Sequence, residues 1–360
     1  MAKFSVSCGG TGGHVFPGVA TAMALCHRGH EVSLWMSGKA IETATRQAWT
    51  GPVVELGAEA ITLHPLRLPR TLAGLTRAYL NSRRALRIQR PQALLAMGSY
   101  SSVAPVLAAR HMNIPVVLHE ANVIPGKAVA WLSRLATAVA ITFPETRAHL
   151  SHPRLHLTGL PLRQQVEEAS GQVGAENIPH PFTVLVMGGS QGAQRLNEVV
   201  PAALALMKAD GFAVTVIHLA GNRNRDTVEA AYHAVGIHAV VHGFCADMVS
   251  VYRQASLAIS RSGANSCLEL ALFGIPSVLV PYPDAARDHQ MANARAMARA
   301  GAAEVMDQTA LTPEALDSIL RSCYLHPDRL ESMRTAARRR AATGAAQRLA
   351  ELVEAVSTTR

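Results

Sequence analysis

Short apolar runs alternate with longer stretches of helical periodicity along most of the chain. Lys3–Cys8 reads as a strand, followed by a glycine turn and a helix from about Pro17 to Arg28. Glu31–Met36, Ala93–Met97, Pro115–His119 and Ala138–Thr142 read as further strands. The plan then restarts, with Thr183–Met187 as a strand, Gly188–Gly192 as a turn and Ala193–Lys208 as a helix. Later strands are expected at Val214–Leu219, Ala239–Val241, Leu257–Ile259, Ser277–Val280 and Ala303–Met306. Strands separated by helices imply parallel sheets with crossover connections, an α/β class. The stretch Ser170–Pro181 is rich in Gly, Pro and polar residues and reads as a linker or surface loop. A final amphipathic helix from about Ala342 to Val356 has no strand of its own and must pack on something already built, with the first domain as the candidate.

The restart looks like a duplicated architecture. Val6-Ser7-Cys8-Gly9-Gly10-Thr11-Gly12-Gly13 and Val184-Leu185-Val186-Met187-Gly188-Gly189-Ser190-Gln191-Gly192 both run from an apolar strand into Gly-Gly, a hydroxyl residue and more Gly. Each would open a doubly wound domain at its ligand-binding edge, and two such domains facing each other make a cleft. The expected division is 1–162, 163–341 and a helix within 342–360 returning to the first domain.

Length agrees, since 360 residues at roughly 150 per domain suggest two domains. A chain that is 49% apolar and 16% charged is not disordered. Five scattered cysteines without a CxxC pair argue against a disulfide scaffold or a structural zinc site. Sixteen histidines include no HExxH, and there is no DxD pair, so no metal cofactor is expected. The N-terminus runs into glycines too soon for a signal peptide, and the charge-free stretch from Pro91 to Ala109 is too broken for a membrane span.

Charge changes the picture. Residues 1–162 hold 16 Lys/Arg against 6 Asp/Glu, while residues 163–360 hold 18 against 19. Between Glu59 and Glu120 there are eight arginines and no acid. A basic half-molecule implies an anionic partner: nucleic acid, an acidic lipid surface or a phosphorylated substrate. The chain has only 16 Phe, Tyr and Trp and none of the usual nucleic-acid-binding signatures, so no nucleic acid is expected. Arg67, Arg70, Arg77, Arg83, Arg84, Arg87 and Arg90 crowd one stretch with Leu68, Leu72, Leu75, Tyr79 and Leu80 between them. Leu72, Leu75 and Tyr79 share one helical face, which suits either a helix lying on an anionic leaflet or a stripe packed on the sheet.

Three glycine turns follow strands, at Gly9–Gly13, Gly98–Ser102 and Gly188–Gly192. Glycines there let backbone amides approach an anion, and the following helix points its positive end at the same place. Neither main turn is GxGxxG, because residue 15 is Val and residue 190 is Ser, and no GK[ST] phosphate loop occurs. Gly188-Gly189-Ser190-Gln191-Gly192 does match GxSxG, the nucleophile elbow of serine hydrolases, with Asp284 or Asp288 and His289 as nominal partners. That elbow would open a domain and leave the first 160 residues idle. His14 follows the first turn, where it could take a proton from an attacking hydroxyl or simply cap the helix. In Arg261-Ser262-Gly263-Ala264-Asn265-Ser266-Cys267-Leu268-Glu269, small residues open a helix, and Glu269 could meet a ribose diol or be a surface carboxylate.

These residues, together with His119-Glu120-Ala121-Asn122 and Asp288-His289-Gln290 followed by Asn293-Ala294, carry a resemblance over nearly the whole chain. The sequence resembles the MurG family, peripheral-membrane glycosyltransferases that add N-acetylglucosamine (GlcNAc) to undecaprenyl-pyrophosphoryl-N-acetylmuramoyl-pentapeptide (lipid I), giving lipid II. The resemblance implies a GT-B fold of two doubly wound Rossmann-like domains. It implies UDP-GlcNAc in the second domain, lipid I on the first, and residence at the cytoplasmic face of the bacterial inner membrane. It places Thr11, Gly12 and Gly13 near the donor sugar and diphosphate, Asn122 on the GlcNAc moiety, and Arg163 and Ser190 near the diphosphate. Phe244 and Cys245 would flank uracil, Ala264, Asn265 and Ser266 border the phosphates, and Glu269 hold the ribose hydroxyls. Gln290, with His289 as the alternative, would contact the sugar. His14 is the candidate base, and another GT-B UDP-sugar transferase is the neighbouring reading. The chain departs from the usual pattern at Asn265-Ser266-Cys267-Leu268, and Pro283–Asp288 runs one residue longer than in some members.

Overall fold

The structure is a computed structural model that describes residues 1–38, 49–57, 68–171, 181–189 and 192–358. Two compact units emerge: Met1–Arg163 with Thr343–Arg360, and Gln164–Ala342. Among the described residues the first unit holds seven strands: β1 (Lys3–Ser7), β2 (Glu31–Met36), β3 (Val53–Glu55), β4 (Ala93–Ala96), β5 (Val116–Glu120), β6 (Ala138–Ile141) and β7 (Leu155–Leu157). They are parallel in the order β3-β2-β1-β4-β5-β6-β7. The second unit holds six: β8 (Thr183–Met187), β9 (Thr215–Leu219), β10 (Ala239–His242), β11 (Leu257–Ser260), β12 (Ser277–Leu279) and β13 (Ala303–Val305). Their order is β10-β9-β8-β11-β12-β13, again parallel.

Both orders reverse at their first strand. From β1 the chain winds outward to β2 on one side and later to β4 on the other. From β8 it goes to β9 and later to β11. The crevices outside the carboxyl ends of β1/β4 and β8/β11 are therefore topological switch points, where open α/β sheets bind ligands.

Two apolar layers cover the first sheet. One joins Phe4, Val6, Val19, Leu25, Leu34 and Leu95 to Leu349, Val353 and Val356 of the Ala345–Thr358 helix. That last helix thus completes the core of the first unit. It is clasped at its exposed edge by Glu354, which accepts hydrogen bonds from Arg28 Nε and Nη2 at 2.7 Å each and lies 2.7 Å from His30 Nε2. The other layer includes Trp35, Leu86, Leu94, Leu118 and Ile141. The second unit is centred on Val184, Val186, Leu204, Met207, Val216, Leu257 and Ile259, sealed by Leu316 and Leu320.

Several boundaries depart from the sequence reading. The first helix spans Gly12–His27, a turn earlier than Pro17, because His14 N and Val15 N both bond to Thr11 O at 2.9 and 3.1 Å. Gly12, Gly13 and His14 therefore belong to its first turn. The strands β3 and β7 were not expected: each is three residues long and partly exposed, so neither carries a legible alternation. The last helix begins at Ala345 and runs to Thr358. On the Leu68–Gln89 helix, Leu75 and Tyr79 pack on the core whereas Leu72 is 54% exposed, so the three do not form one outward stripe. Arg67, Ser190 and most of the expected Ser170–Pro181 linker lie outside the described residues.

Candidate active site

At the switch point of the first unit, the turns after β1 and β4 are stitched together. Ser101 Oγ donates to Gly9 O at 2.6 Å, and a Cβ on Gly10 would come within 2.7 Å of Ser99 Oγ. Gly10 stands at φ 125°, which a side chain would strain, and Ser99 itself holds φ 68°. The Gly12–His27 helix starts here, its N-cap Thr11 making no side-chain cap bond. Instead Thr11 Oγ1 lies 3.0 Å from His14 Nδ1. In the tautomer with Nδ1–H donating to Thr11, Nε2 is the basic atom of the ring.

His119 and Glu120 close β5 beneath this turn. His119 is fully buried, with Nε2–H donating to Gly159 O at 3.1 Å, and burial pushes its pKa down to about 4. The imidazole is therefore neutral. Glu120 accepts from Asn122 N (2.8 Å), Asn122 Nδ2 (3.2 Å) and Gly126 N (2.9 Å). Its burial raises the carboxyl pKa, and those donors oppose the rise. Glu120 thus shapes the loop that presents Asn122, whose carbonyl accepts from Thr146 Oγ1 at 3.1 Å. Arg163 closes the unit, its guanidinium 5.5 Å above the Phe16 ring, a cation–π contact with the same first helix.

At the switch point of the second unit, Gly188 has no room for a side chain, since a Cβ would overlap Ala193 N. Gly192 N donates to Gly189 O at 3.0 Å and closes the turn. Beside it, the segment after β11 leads into the Ala264–Leu272 helix, with Gly263 as an uncapped N-cap and open space beyond its Cα. Ala264, Asn265 and Ser266 form the first turn, so their amides are the orphan donors of that helix. Asn265 Oδ1 is buried without a hydrogen-bond partner. Neighbouring Cys267 is fully buried, its thiol pushed up to about 12, and is therefore inert as a nucleophile.

Two side chains of this segment differ from a simple surface reading. Arg261 is not aimed outward: it donates to Val280 O, Pro281 O and Gln308 Oε1 and lies 5.5 Å from the Tyr282 ring, holding the loop after β12. Glu269 is buried and accepts from Tyr252 Oη at 2.6 Å.

The loop after β12 brings Gln290 to this segment. Its carbonyl accepts from Ser262 Oγ at 2.8 Å, and its Oε1 accepts from Tyr282 N at 3.0 Å. Arg287 and Asp288 both occupy the left-handed region, at φ 58° and 55°, an unusual pair for residues with side chains. His289 Nδ1–H donates to Ala286 O at 2.8 Å. A hydrolytic triad needs that nitrogen on a carboxylate, so the serine-hydrolase reading loses its histidine. Cys245 Sγ donates to Asp247 O at 3.3 Å, and neighbouring Phe244 is 72% exposed. Among the described residues, no three His, Cys, Asp or Glu side chains converge as a metal site.

The structure thus gathers Thr11, Gly12, Gly13, His14 and Asn122 around one switch point. Ala264, Asn265, Ser266 and Gln290 lie around the other, with Glu269 deeper on the same helix. Tyr252, His119, Glu120 and Arg261 were missed as individual contributors. His119, Glu120 and Arg261 stood in quoted motifs without a role of their own, and Tyr252 left no trace in the sequence.

Two doubly wound units with glycine turns at both switch points are the architecture of GT-B glycosyltransferases. A model of the glycosyltransferase family 28 N-terminal domain matches residues 4–141, and one of the family 28 C-terminal domain matches residues 183–349. A curated relative from Agrobacterium fabrum is 37% identical, covering 98% of this chain and 94% of its own length. It is named UDP-N-acetylglucosamine--N-acetylmuramyl-(pentapeptide) pyrophosphoryl-undecaprenol N-acetylglucosamine transferase. A Methylococcus capsulatus protein of the same name is 39% identical over 97% of both chains. The crystal structure of Acinetobacter baumannii MurG superposes with a TM-score of 0.81 at 27% identity, covering 99% of this chain and 100% of that one. The chain belongs to the MurG family of glycosyltransferases.

Proposed function

We propose that this protein transfers GlcNAc from UDP-GlcNAc to the C4 hydroxyl of the N-acetylmuramoyl residue of lipid I, giving lipid II for peptidoglycan. The observation that carries the reading is end-to-end identity of 37–39% with transferases of that name, in a chain whose two units each carry a glycine turn at the switch point.

UDP is already a good leaving group, so the reaction needs no covalent enzyme nucleophile. Charge grows on the diphosphate as the anomeric bond breaks. The amides of the turn around Gly188, Gly189 and Gly192, the N-terminus of the Ala264–Leu272 helix and Arg163 are assigned to stabilise it. Ser190 joins them by family resemblance. Glu269 accepts the ribose hydroxyls, and the Phe244-Cys245 backbone flanks the uracil. Asn122 and Gln290 contact the GlcNAc moiety, and Thr11, Gly12 and Gly13 approach the donor sugar and diphosphate. His14 Nε2 takes the proton from the acceptor hydroxyl, which attacks opposite the leaving UDP and inverts the anomeric centre. The test is transfer of labelled GlcNAc from UDP-GlcNAc to a soluble-tailed lipid I analogue.

The second part of the proposal is location. No described helix is long and apolar enough to cross a membrane, yet an undecaprenyl tail stays in the bilayer. On the Leu68–Gln89 helix, Leu72, Leu80 and Ile88 are 54%, 56% and 73% exposed, each turned about 80° from the one before, so they spread across the outward side of the helix. Arg77, Arg84 and Arg87 are exposed on the same helix. Apolar residues flanked by cations suit an interfacial helix, each cation contributing about 1 kcal/mol near an anionic surface. We assign this face to the cytoplasmic leaflet of the inner membrane.

A further inference from the structure

A chain of polar groups runs through the core of the second unit and ends at the Ala220 carbonyl, beside the turn after β8. Tyr232 Oη lies 2.9 Å from His218 Nδ1, His218 Nε2 lies 3.0 Å from Asn197 Oδ1, and Asn197 Nδ2 donates to Ala220 O at 3.0 Å. All three side chains are buried, in a layer with Val184, Val216 and Val228. The direction of every bond follows from the last one. A backbone carbonyl only accepts, so Asn197 turns its amide nitrogen to Ala220 and its oxygen to His218. His218 must then donate from Nε2, which leaves Nδ1 to accept from the Tyr232 hydroxyl. All these groups are satisfied with the imidazole neutral, and burial pushes the His218 pKa down to about 3.

Where the chain ends is informative. The Ala220 carbonyl is the group that a Cβ on Gly192 would overlap, and Gly192 sits at φ 76°. The backbone of the turn therefore rests directly on the carbonyl that Asn197 holds. Asn197 sits one turn into the helix after the turn, its backbone N–H donating to the N-cap Ala193 O at 2.9 Å. The Ala220 carbonyl is a buried backbone group that no apolar residue can replace, and Asn197 Nδ2 is a donor to it.

We propose that Asn197, His218 and Tyr232 are positioning residues that fix the Ala220 carbonyl against Gly192, and so set the shape in which the turn receives the donor diphosphate. This rests on the reading that the turn binds that diphosphate.

The test compares UDP affinity by calorimetry, the KM for UDP-GlcNAc, kcat and Tm across four variants. Asn197→Leu withdraws the support from Ala220, and Tyr232→Phe withdraws only the proton donated to His218, so it carries the test if the first variant does not fold. Both are expected to weaken UDP and raise the donor KM, Asn197→Leu by about tenfold, the equivalent of one net hydrogen bond. The acceptor KM should not move. Leu320→Ala, a truncation in the same apolar core that removes none of the network's hydrogen bonds, should lower Tm and leave UDP affinity alone. Nitrogen NMR of the wild-type protein should show His218 as the neutral Nε2–H tautomer. Gly192→Ala examines the underlying reading. If it binds UDP like the wild type, the turn is not the diphosphate site and the inference falls with that reading. If Gly192→Ala weakens UDP while Asn197→Leu and Tyr232→Phe keep wild-type affinity, the turn stands and the inference is overturned. It is also overturned if Leu320→Ala weakens UDP as much as Asn197→Leu does, or if His218 carries its proton on Nδ1.

Discussion

Tyr252 Oη donates a 2.6 Å hydrogen bond to Glu269 Oε2, tying the Met248–Gln254 helix to the Ala264–Leu272 helix. A phenol on a carboxylate is a short, charge-assisted bond, and the Phe273 ring 5.0 Å away holds the phenol in place. Glu269 is therefore oriented before any nucleotide arrives. In the proposed function the same carboxylate accepts the ribose hydroxyls. Glu269→Ala is expected to raise the donor KM by about 10- to 100-fold, since hydrogen bonds to a charged group contribute about 1.5–3 kcal/mol. It should also erase discrimination against a 2′-deoxyribose donor. Tyr252→Phe should raise the donor KM by a smaller factor at unchanged kcat, as measured by steady-state kinetics with both donors.

The contact between Thr11 Oγ1 and His14 Nδ1 makes a second prediction. If His14 is the base, His14→Ala lowers kcat by roughly 10²–10⁴ and barely moves UDP-GlcNAc affinity. Thr11→Val removes the hydroxyl that lies 3.0 Å from His14 Nδ1 and should cost less than the loss of the ring. A His14→Ala enzyme with wild-type kcat and only a raised KM would make His14 a binding group.

How much of this was legible beforehand depends on the kind of signal. The buried strands announced themselves as apolar runs, and β1, β4 and β8 run on into glycine. Both glycine turns therefore sat where the switch points lie, although the order of the strands is not written in any local window. The helix start at Gly12 was hidden because two glycines are poor helix formers and Pro17 looks like a first-turn residue. In the structure Pro17 is inside the helix, and its carbonyl accepts from Thr21 Oγ1 at 2.9 Å. Tyr252 and Glu269 stand 17 residues apart on different helices, and Asn197, His218 and Tyr232 on three elements. Such pairings are created by tertiary packing and leave no spacing to read. The arginine-rich helix was legible in charge but not in orientation. Its periodicity could not tell that Leu75 turns inward while Leu80 turns out.

Acid should destabilise the fold in two stages. His119 and His218 are buried neutral, with pKa values pushed from 6.5 to about 4 and about 3 by burial. Below pH 6.5 the unfolded chain takes up protons that the folded chain refuses. Each group then costs about 1.4 kcal/mol per pH unit until its folded pKa is reached. Glu354 acts lower: its hydrogen bonds from Arg28, then His30, hold its pKa at about 2 against 4.5. Its contribution is present above pH 4.5 and disappears as pH falls toward 2. Urea midpoints measured from pH 7 to 4 should fall steadily, and His218→Phe should flatten the slope. A midpoint independent of pH over that range would contradict the buried neutral histidines.

Membrane docking is tested by charge reversal guided by exposure. Arg83 is half-buried and lies 5.8 Å from the Tyr79 ring, so reversing it would disturb the fold. Arg77, Arg84 and Arg87 are exposed. Their joint replacement by Glu should abolish co-sedimentation with vesicles containing anionic lipid and activity on natural lipid I, while activity on a short-tailed acceptor survives. Added salt should weaken wild-type binding, because exposed charges are screened within about 10 Å at 0.1 M. Wild-type co-sedimentation of the triple variant would place the docking face elsewhere.

The most direct measurement of the central claim is product analysis after incubation of the protein with UDP-GlcNAc and a soluble-tailed lipid I analogue. The account predicts that GlcNAc appears on the C4 oxygen of the N-acetylmuramoyl residue in β linkage, with one UDP released per disaccharide formed. Glu269→Ala should slow the reaction at low donor concentration. UDP release without a disaccharide, transfer to another position, or a product with retained α configuration would contradict it.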